Sequence, residues 1–315
     1  MAIHELKLEQ ANLTGSFCRD DDPVLIVDSG DTVIFETLDA GWNLRAPEVP
    51  GGDAPKVEPR DPERDGGHCL CGPVRIRGAE PGMVLEIAIG EIRPGIWGRS
   101  YGGGSASSIN TYMGIADRRC DVLWRLDAGT MTGTTQLGHT VQLQPFMGVM
   151  GMPPDLPGRH STTPPRVTGG NLDLKELVTG TTLFLPIEVA GGLFAVGDGH
   201  GRQGDGEVSG NAIECPMERV ELTFRLRDDM AIAVPRVRAR NAWLTLGVDP
   251  DLHTAACQAL EGMLDLICGQ LEVERSYAIV LASAGVDMRI TQLANGTLGV
   301  HAVLADGAIG SGQPS

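Results

Sequence analysis

Short apolar runs, interrupted every few residues by glycine, proline or acidic residues, make up most of the chain. Residues 23–27 and 32–36 are two such runs around an Asp-Ser-Gly-Asp turn, which is typical of a β-hairpin. Residues 72–89 alternate apolar and polar positions on either side of a central turn, and residues 183–189 and 193–196 form another apolar pair. The pattern therefore predicts β-structure over most of the chain.

Helical spacing is clear only near the end of the chain. Between residues 251 and 269, apolar side chains recur at intervals of three and four, and Gly269 supplies a stop signal. A shorter helix is predicted over residues 273–282, and a strand over 286–293. The predicted fold class is mainly β, sandwich- or barrel-like, with a few helices, notably a C-terminal helical pair; by strict count it is α+β.

The length of the chain is compatible with one large domain or two ordinary ones. We expect a single catalytic unit over residues 1–315. A division into two β subdomains, approximately 1–165 and 166–315, is the alternative. Residues 310–315 are small and polar and are predicted to form a flexible tail.

Three irregular segments stand out between the apolar runs. Residues 45–67 are rich in proline, glycine and charge, and residues 101–110 are rich in glycine and serine. Both are predicted to be loops, and either is a candidate lid. Residues 145–154 are too apolar for a free loop and too interrupted for a helix, so we expect them to line a pocket or an interface.

Charge and cysteine content narrow the class of protein. The 315 residues are 42% hydrophobic and carry a formal net charge of -16, which favours a globular protein and disfavours nucleic acid or an acidic membrane as a partner. The first residues lack a signal-peptide pattern and no run reaches transmembrane length, so we expect a cytoplasmic protein. The seven scattered cysteines fit free thiols in a reducing compartment.

The most distinctive stretch is residues 197–207, where five glycines alternate with polar residues that include Asp198, His200, Asp205 and Glu207. Such a segment is often a turn whose carboxylates bond their own backbone. It is also compatible with a metal site, because Asp198 and His200 lie two residues apart and face one side of an extended chain. A dinucleotide-binding loop is excluded because Gly204 and Gly206 would break the helix that must follow it.

Other candidate donors lie outside this stretch. Glu214 follows shortly after it, His68 precedes a predicted strand, and Asn171 and Asp173 lie two apart after paired glycines. Carboxylate together with neutral imidazole suits zinc best among the common ions. The histidines could equally cap strand ends, and Asn171 could simply form a turn.

Five segments together resemble the acetamidase/formamidase family of small-amide hydrolases: 72–89, 145–154, 169–177, 197–214 and 276–292. The resemblance implies a mostly β, homo-oligomeric (dimeric or larger) cytosolic enzyme with a bound divalent metal. It also implies hydrolysis of formamide, acetamide or similar linear amides to carboxylate and ammonia. The chain departs from the family pattern at Cys69-Leu70-Cys71, after His68, and at Met83, where aspartate is common, which leaves the substrate open.

These residues suggest a mechanism. We expect His68, Asp198 and His200 to bind the metal, with Zn²⁺ preferred over Ca²⁺ and a second metal as a further alternative. Glu214 is the predicted general base, and Asp205 is a second candidate catalytic carboxylate.

The remaining candidates surround that predicted centre. Asn171, Asp173 and Glu207 are expected to bind substrate or to support the metal ligands. Asp205 and Glu207 are also candidates for binding a second metal.

Two alternatives to this mechanism remain open. Cys69, adjacent to His68, could attack the amide as a thiol nucleophile, although neighbouring residues on a strand point to opposite faces. The protein could also bind a metal or an amide without catalysing a reaction.

Overall fold

The computed structural model describes residues 1–310, so the five residues that complete the predicted tail lie outside the described part. Strands dominate, as predicted. Their bounds are β1 (Ile3–Leu6), β2 (Leu13–Thr14), β3 (Ser16–Phe17), β4 (Leu25–Val27), β5 (Thr32–Thr37), β6 (Leu70–Ile76), β7 (Val84–Pro94), β8 (Trp97–Gly102), β9 (Cys120–Asp127), β10 (Thr132–Thr135), β11 (Thr140–Gln142), β12 (Phe146–Gly151), β13 (His160–Ser161), β14 (Pro165–Arg166), β15 (Gly169–Asn171), β16 (Thr182–Pro186), β17 (Phe194–His200), β18 (Met217–Arg227), β19 (Arg236–Arg238), β20 (Ala242–Asp249), β21 (Val286–Gln292) and β22 (Leu298–Ala305).

Two large sheets make up the body of the fold. One has nine strands in the order β1-β5-β18-β7-β16-β19-β20-β22-β21. The other has the order β14-β15-β12-β17-β6-β2, with β4 also paired to β6. A single apolar core joins them, and Phe194 on β17 meets Phe224 on β18 with ring centroids 5.0 Å apart. The predicted sandwich-like, mainly β architecture is confirmed.

Both large sheets take strands from before and after residue 165. The nine-stranded sheet combines β5 and β7 with β18, and the other sheet combines β6 and β12 with β17. The two sheets therefore do not separate at the boundary considered for two subdomains, and a single unit stays the prediction.

The predicted hairpin at residues 23–36 is wrong. Strand β4 pairs in parallel with β6, whereas β5 lies between β1 and β18 in the other sheet. Between the two strands, the Asp31 carboxylate accepts a hydrogen bond from the backbone N–H of Asp28, and the Asp31 N–H donates to the Asp28 carbonyl. Val33 and Phe35 are fully buried between the sheets, so core packing, rather than the turn, decides which strand β5 joins.

Helices α2 (Leu252–Leu271) and α3 (Arg275–Gly285) form the predicted C-terminal pair. They pack on β20 and β22 around a separate apolar cluster that includes Met263 and Ala302. Helix α2 runs past Gly269 to Leu271, and Glu272, with a positive φ of 54°, provides the left-handed cap. Within residues 1–310, no helix is long and apolar enough to cross a membrane.

Three predicted segments change character in the structure. Residues 145–154 contain β12, a fully buried strand paired with β17, which forms one wall of the site described below. The Gly/Ser segment leads into a short helix, α1 (Ser108–Tyr112), which the sequence analysis missed. Residues 45–67 hold no helix or strand, as predicted, apart from one bridge between Asn43 and Lys56.

Candidate metal centre

Strand β17 carries the two central side chains of the site. The strand extends through His200. Residues 197–200 are therefore part of a strand and not of the turn considered in the sequence analysis. A Cβ on Gly197 would lie 2.2 Å from the carbonyl oxygen of Cys69, and one on Gly199 would lie 2.7 Å from that of Cys215. The two glycines therefore permit tight backbone packing, while Asp198 and His200 project toward a shared pocket.

Asp198, His200 and Glu214 form one compact group of donors. His200 Nε2 lies 3.3 Å from Asp198 Oδ1 and 3.4 Å from Glu214 Oε2. The three side chains are between 1% and 8% exposed. Glu214 is held by a hydrogen bond from the Ala212 backbone N–H to its Oε1, at 2.8 Å. The next strand, β18, begins at Met217.

A second group of donors shares the same histidine. Potential ligand atoms of Asp173, His200 and Glu207 lie within 4.8 Å of one another, as do those of the first group. Asp173 follows β15, and its Oδ2 accepts a hydrogen bond from Asn295 Nδ2 at 3.1 Å. Four carboxylates therefore converge on one buried imidazole, an arrangement able to hold one or two cations.

The wall behind His200 contains Gly148 of β12. A Cβ at this position would lie 2.6 Å from Asp198 Oδ2, 2.8 Å from His200 Cε1 and 3.0 Å from Asp173 Oδ1. The missing side chain thus leaves the space in which three site residues meet. Any larger residue would occupy that space.

Gln203 fixes the tautomer of His200. Its Nε2 donates to the Asp173 carbonyl at 2.8 Å, so its Oε1 faces His200 Nδ1, 3.0 Å away. Nδ1 must then carry a hydrogen, and Nε2 is left facing the carboxylates. An outer partner of this kind orients histidine ligands in metal sites.

The site holds more negative charge than its surroundings neutralise. In the described part of the chain, no lysine or arginine forms a salt bridge with Asp173, Asp198, Glu207 or Glu214. Three of these carboxylates have a buried oxygen with no hydrogen-bond partner: Asp173 Oδ1, Glu207 Oε2 and Glu214 Oε2. Buried anions of this kind require a cation or a proton.

The pKa values report the same excess charge. Burial raises the pKa of Asp173, of Glu214 and of Glu207, the last to about 8. Burial disfavours the imidazolium of His200, but the nearby Glu214 and Asp198 outweigh it and raise the His200 pKa well above its usual value. Burial alone would raise the pKa of Asp198, but the charges of His200 and His68 outweigh burial and lower that pKa. Without a metal, the centre therefore retains protons that a cation would replace.

Backbone strain is concentrated around this centre. Asp173, Asp198 and Glu207 have φ values of 48°, 57° and 42°, and Asn295 beside them has 66°. They are four of the eight non-glycine residues with positive φ among residues 1–310. Such conformations cost about 1–3 kcal/mol each and persist where the surrounding structure imposes them, often at functional sites.

A polar cavity of about 200 Å³ opens onto the donors. Asn171, His68 and Arg99 contribute to its wall. A neighbouring cavity of about 240 Å³ lies beside the α1 segment and shares Tyr101 and Glu207 with the first. The two together provide room for a small substrate next to the carboxylates.

The structure brings most of the predicted site residues together. Asn171 lies in the cavity wall, donates through Nδ2 to the Thr163 carbonyl, and leaves its buried Oδ1 without a partner. His68 is half-buried, lines the cavity and shares a 2.9 Å hydrogen bond between its Nδ1 and Thr162 Oγ1, but it is outside both donor groups. His68 thus lies beside the donors, and its role as a metal ligand stays a prediction.

Asp205 is not at this centre. Its Oδ2 lies 2.7 Å from Lys175 Nζ, and it belongs to a different group of side chains with Glu176 and His301. Glycines 204 and 206 allow the chain to turn between Asp205 and Glu207. The Asp205 carboxylate therefore lies beside His301, whereas that of Glu207 lies beside His200. Its predicted catalytic role has no geometric support here.

Sequence reasoning missed several residues of the site. Gln203 follows His200 by three residues and was passed over as a loop residue. Gly148 lies inside a segment that was recognised as a pocket wall, but its role depends on the register of β12 against β17. Arg99 and Asn295 carry no local signal, because their segments meet the site only through the tertiary fold.

The buried thiols lack the features of a nucleophile. Cys69, Cys71 and Cys215 are buried, and burial raises the pKa of each, to about 12 for Cys71 and further for the other two. The thiolate is the reactive form, so these positions are unfavourable for attack on an amide. The thiol mechanism therefore receives no support from the structure.

Comparison with known proteins agrees with this architecture. The sequence profile of the acetamidase/formamidase family matches residues 6–160 and 158–294. An acetamidase of Mycolicibacterium smegmatis is 26% identical over 200 residues, which cover 45% of this chain and 49% of that protein. A formamidase of Methylophilus methylotrophus is 28% identical over 192 residues, covering 45% of this chain and 47% of that protein. The matches thus span about half the length of these curated relatives.

A solved structure extends the likeness to nearly the whole chain. The crystal structure of an acetamidase from Bacillus halodurans superposes with a TM-score of 0.82 at 26% identity. The superposition covers 96% of this chain and 97% of that one. Sequence profile and fold therefore agree: the chain belongs to the acetamidase/formamidase family.

Proposed function

We propose that this protein hydrolyses small linear amides to a carboxylate and ammonia at the Asp198–His200 centre, with a divalent metal bound there. The observation that carries the proposal is the burial of four carboxylates around His200 with no basic partner among the described residues. Family membership and the named activities of the relatives supply the reaction class.

The donor set fits a metal. Asp198, His200 and Glu214 offer two carboxylate oxygens and one imidazole nitrogen, and Gln203 already orients the imidazole. This mixture favours Zn²⁺ over Ca²⁺, which prefers oxygen alone. Asp173 and Glu207 provide donors for a second ion beside the same histidine. When bound, such a metal polarises a carbonyl and lowers the pKa of bound water from 15.7 to about 7.

Glu214, predicted above as the general base, has the position of a ligand. Glu214 Oε2 lies 3.4 Å from His200 Nε2, nearly as close as Asp198 Oδ1 at 3.3 Å, and it has no other partner. We therefore assign Glu214 with Asp198 and His200 to holding the metal. The proton-transfer role passes to another carboxylate.

Glu207 has the properties required for proton transfer. Its Oε2 is buried without a partner, and its side chain lines both cavities. Burial raises its pKa to about 8, close to neutral pH, where a group can both accept and donate a proton. In the proposed reaction, Glu207 takes a proton from the attacking water and returns it to the departing nitrogen.

The cavity wall supplies contacts for the amide. The free Oδ1 of Asn171 can accept a hydrogen bond from the substrate N–H₂ group. His68 and Arg99 line the same space and offer donors for the carbonyl oxygen. Positioning by such groups is a major part of catalysis. The relatives named for acetamide and formamide suggest a substrate with a short acyl group.

The proposal is tested by measuring ammonia release from formamide, acetamide and propionamide together with metal content. Asp198→Asn and His200→Ala should lose metal and activity together. Glu207→Gln should keep the ion held by Asp198, His200 and Glu214 and lose activity by about 100-fold or more, within the range for acid–base groups. Asp127→Asn, at an exposed position on β9, is the matched control and should retain both.

Other outcomes separate the alternatives. Wild-type protein that binds metal but releases no ammonia from any amide would identify a binding protein. Full activity after complete removal of metal would refute the metal mechanism. The homo-oligomeric state and the cytoplasmic location remain part of the proposal, and light scattering after gel filtration measures the former.

A further inference from the structure

A second group of potential metal ligands lies outside the proposed amide centre. Ligand atoms of Glu176, Asp205 and His301 are within 4.8 Å of one another. They come from three parts of the chain: the turn before β16, the segment after β17, and β22. None of these residues lines the cavity beside His200.

Two buried atoms of this group have no hydrogen-bond partner. His301 is 0% exposed; its Nδ1 bonds to Thr291 Oγ1 at 2.8 Å, while its Nε2 has no partner. Glu176 Oε1 lies within 4.0 Å of Lys175 Nζ and 3.7 Å of Arg289 Nη1, while its Oε2 is buried and unpartnered. Buried polar atoms are rarely left unpaired in native proteins, so this pair points to a missing ligand.

The protonation state of His301 suits a metal. Burial lowers its pKa to about 4, so the imidazole is neutral at physiological pH. A neutral imidazole offers a lone pair, as metal binding requires. Thr291 engages the other nitrogen and fixes the ring, in the way that outer partners support metal-binding histidines.

We propose that Glu176, Asp205 and His301 bind a divalent transition ion, such as Zn²⁺, at a second site separate from the amide centre. One imidazole nitrogen and two carboxylate oxygens are suitable donors for this class of ion. A single cation would satisfy both orphaned atoms at once.

The position of the site suggests its effect. The Gly206 N–H donates to the Thr291 carbonyl at 3.0 Å, and the Leu293 N–H donates to the Gly206 carbonyl at 3.0 Å. These bonds attach the segment that carries Glu207 to the C-terminal β-hairpin. An ion held by Asp205 and His301 would fasten the same two segments together and thereby stabilise the position of Glu207.

Lys175 is the internal competitor for this ion. Its Nζ lies 2.7 Å from Asp205 Oδ2 and supplies positive charge that a metal would otherwise provide. Removing this ammonium should strengthen metal binding by about ten-fold, since two cations near one carboxylate repel each other. Stronger metal binding after removal of the Lys175 ammonium distinguishes a metal site from an ordinary network of salt bridges.

The test uses the full-length protein stripped with a chelator and then titrated with Zn²⁺. Calorimetry and elemental analysis after gel filtration are compared for wild type, Glu176→Gln, Asp205→Asn and Lys175→Met. Wild type should hold one more ion than Glu176→Gln or Asp205→Asn, and Lys175→Met should bind that ion more tightly. Melting curves without metal confirm that each variant is folded.

Equal stoichiometry in wild type and both carboxylate variants would overturn the proposal, as would unchanged zinc affinity in Lys175→Met. Failure here is distinct from failure of the amide reaction. The test compares the number of ions bound by wild type with the number bound by Glu176→Gln and by Asp205→Asn. This number does not depend on ammonia release.

Discussion

Replacing Gly148 by alanine tests the geometry of the centre most directly. The added Cβ would lie 2.6 Å from Asp198 Oδ2 and 2.8 Å from His200 Cε1, whereas ordinary van der Waals contact begins near 3.4 Å. Asp198 Oδ2 must therefore retreat by about 0.8 Å in an interior that is already close-packed. Gly148 does not have a positive φ, so alanine introduces no backbone strain there.

The expected effect on activity is large. Misplacing reactive groups by about 1 Å costs on the order of 100-fold in rate, equivalent to about 2.7 kcal/mol of transition-state stabilisation. Overpacking also lowers the free energy of unfolding by about 1–3 kcal/mol. The assays are ammonia release, metal content and chemical denaturation, measured on the same preparation of the Gly148→Ala variant.

Gly204→Ala is the matched control. A Cβ at this exposed position on the site loop meets no atom within 4 Å, so activity and metal content should stay within a factor of two or so of wild type. Wild-type activity and metal content in Gly148→Ala would refute the reasoning. Such a result would mean that Asp198 and His200 do not meet at this point in the working enzyme.

Three further predictions follow from other parts of the structure. Gly269→Ala, at an exposed helical position with no atom within 4 Å, should raise the free energy of unfolding by about 0.5–1 kcal/mol; a decrease in denaturation midpoint would contradict this. Iodoacetamide should label the exposed Cys120 and Cys257 without loss of amide hydrolysis, and inactivation that tracks labelling of Cys69 in peptide maps would revive the thiol mechanism. In chelator-treated protein, the melting temperature should fall as the pH rises from 5 to 8. The pKa of Glu207 is about 8 in the folded protein and 4.5 in its usual state. Over this pH range the folded protein therefore retains a proton that the unfolded chain releases, which lowers stability as the pH rises. Glu207→Gln should reduce that slope, and an unchanged slope would count against the buried carboxyl.

Local pattern was sufficient to predict most elements. The spacing of apolar residues predicted α2, because one face of this helix is buried against β20 and β22. It did not predict the partner of β5, since pairing across the two sheets depends on core packing far away in sequence. Nor did it predict the true end of α2, where Glu272 adopts a left-handed conformation usually taken by glycine.

The site was predictable to the extent that it lies on one continuous stretch. Asp198 and His200 were found because their spacing on β17 survives folding, and Glu214 returns to them through a local turn. Asp205 lies in a different group of side chains, because proximity in sequence to Glu207 does not determine which way a glycine-flanked turn directs each carboxylate. The contribution of Gly148 could not be seen, since an absent side chain has meaning only once the register of β12 is known.

The hairpin of β21 and β22 anchors two parts of the site at once. Asn295 donates to Asp173 Oδ2, and the Thr291 carbonyl accepts from the N–H of Gly206, next to Glu207. Local opening of this hairpin would therefore release Asp173 and the segment bearing Glu207 together. Hydrogen exchange in β21 should then report on the integrity of the pocket as a whole.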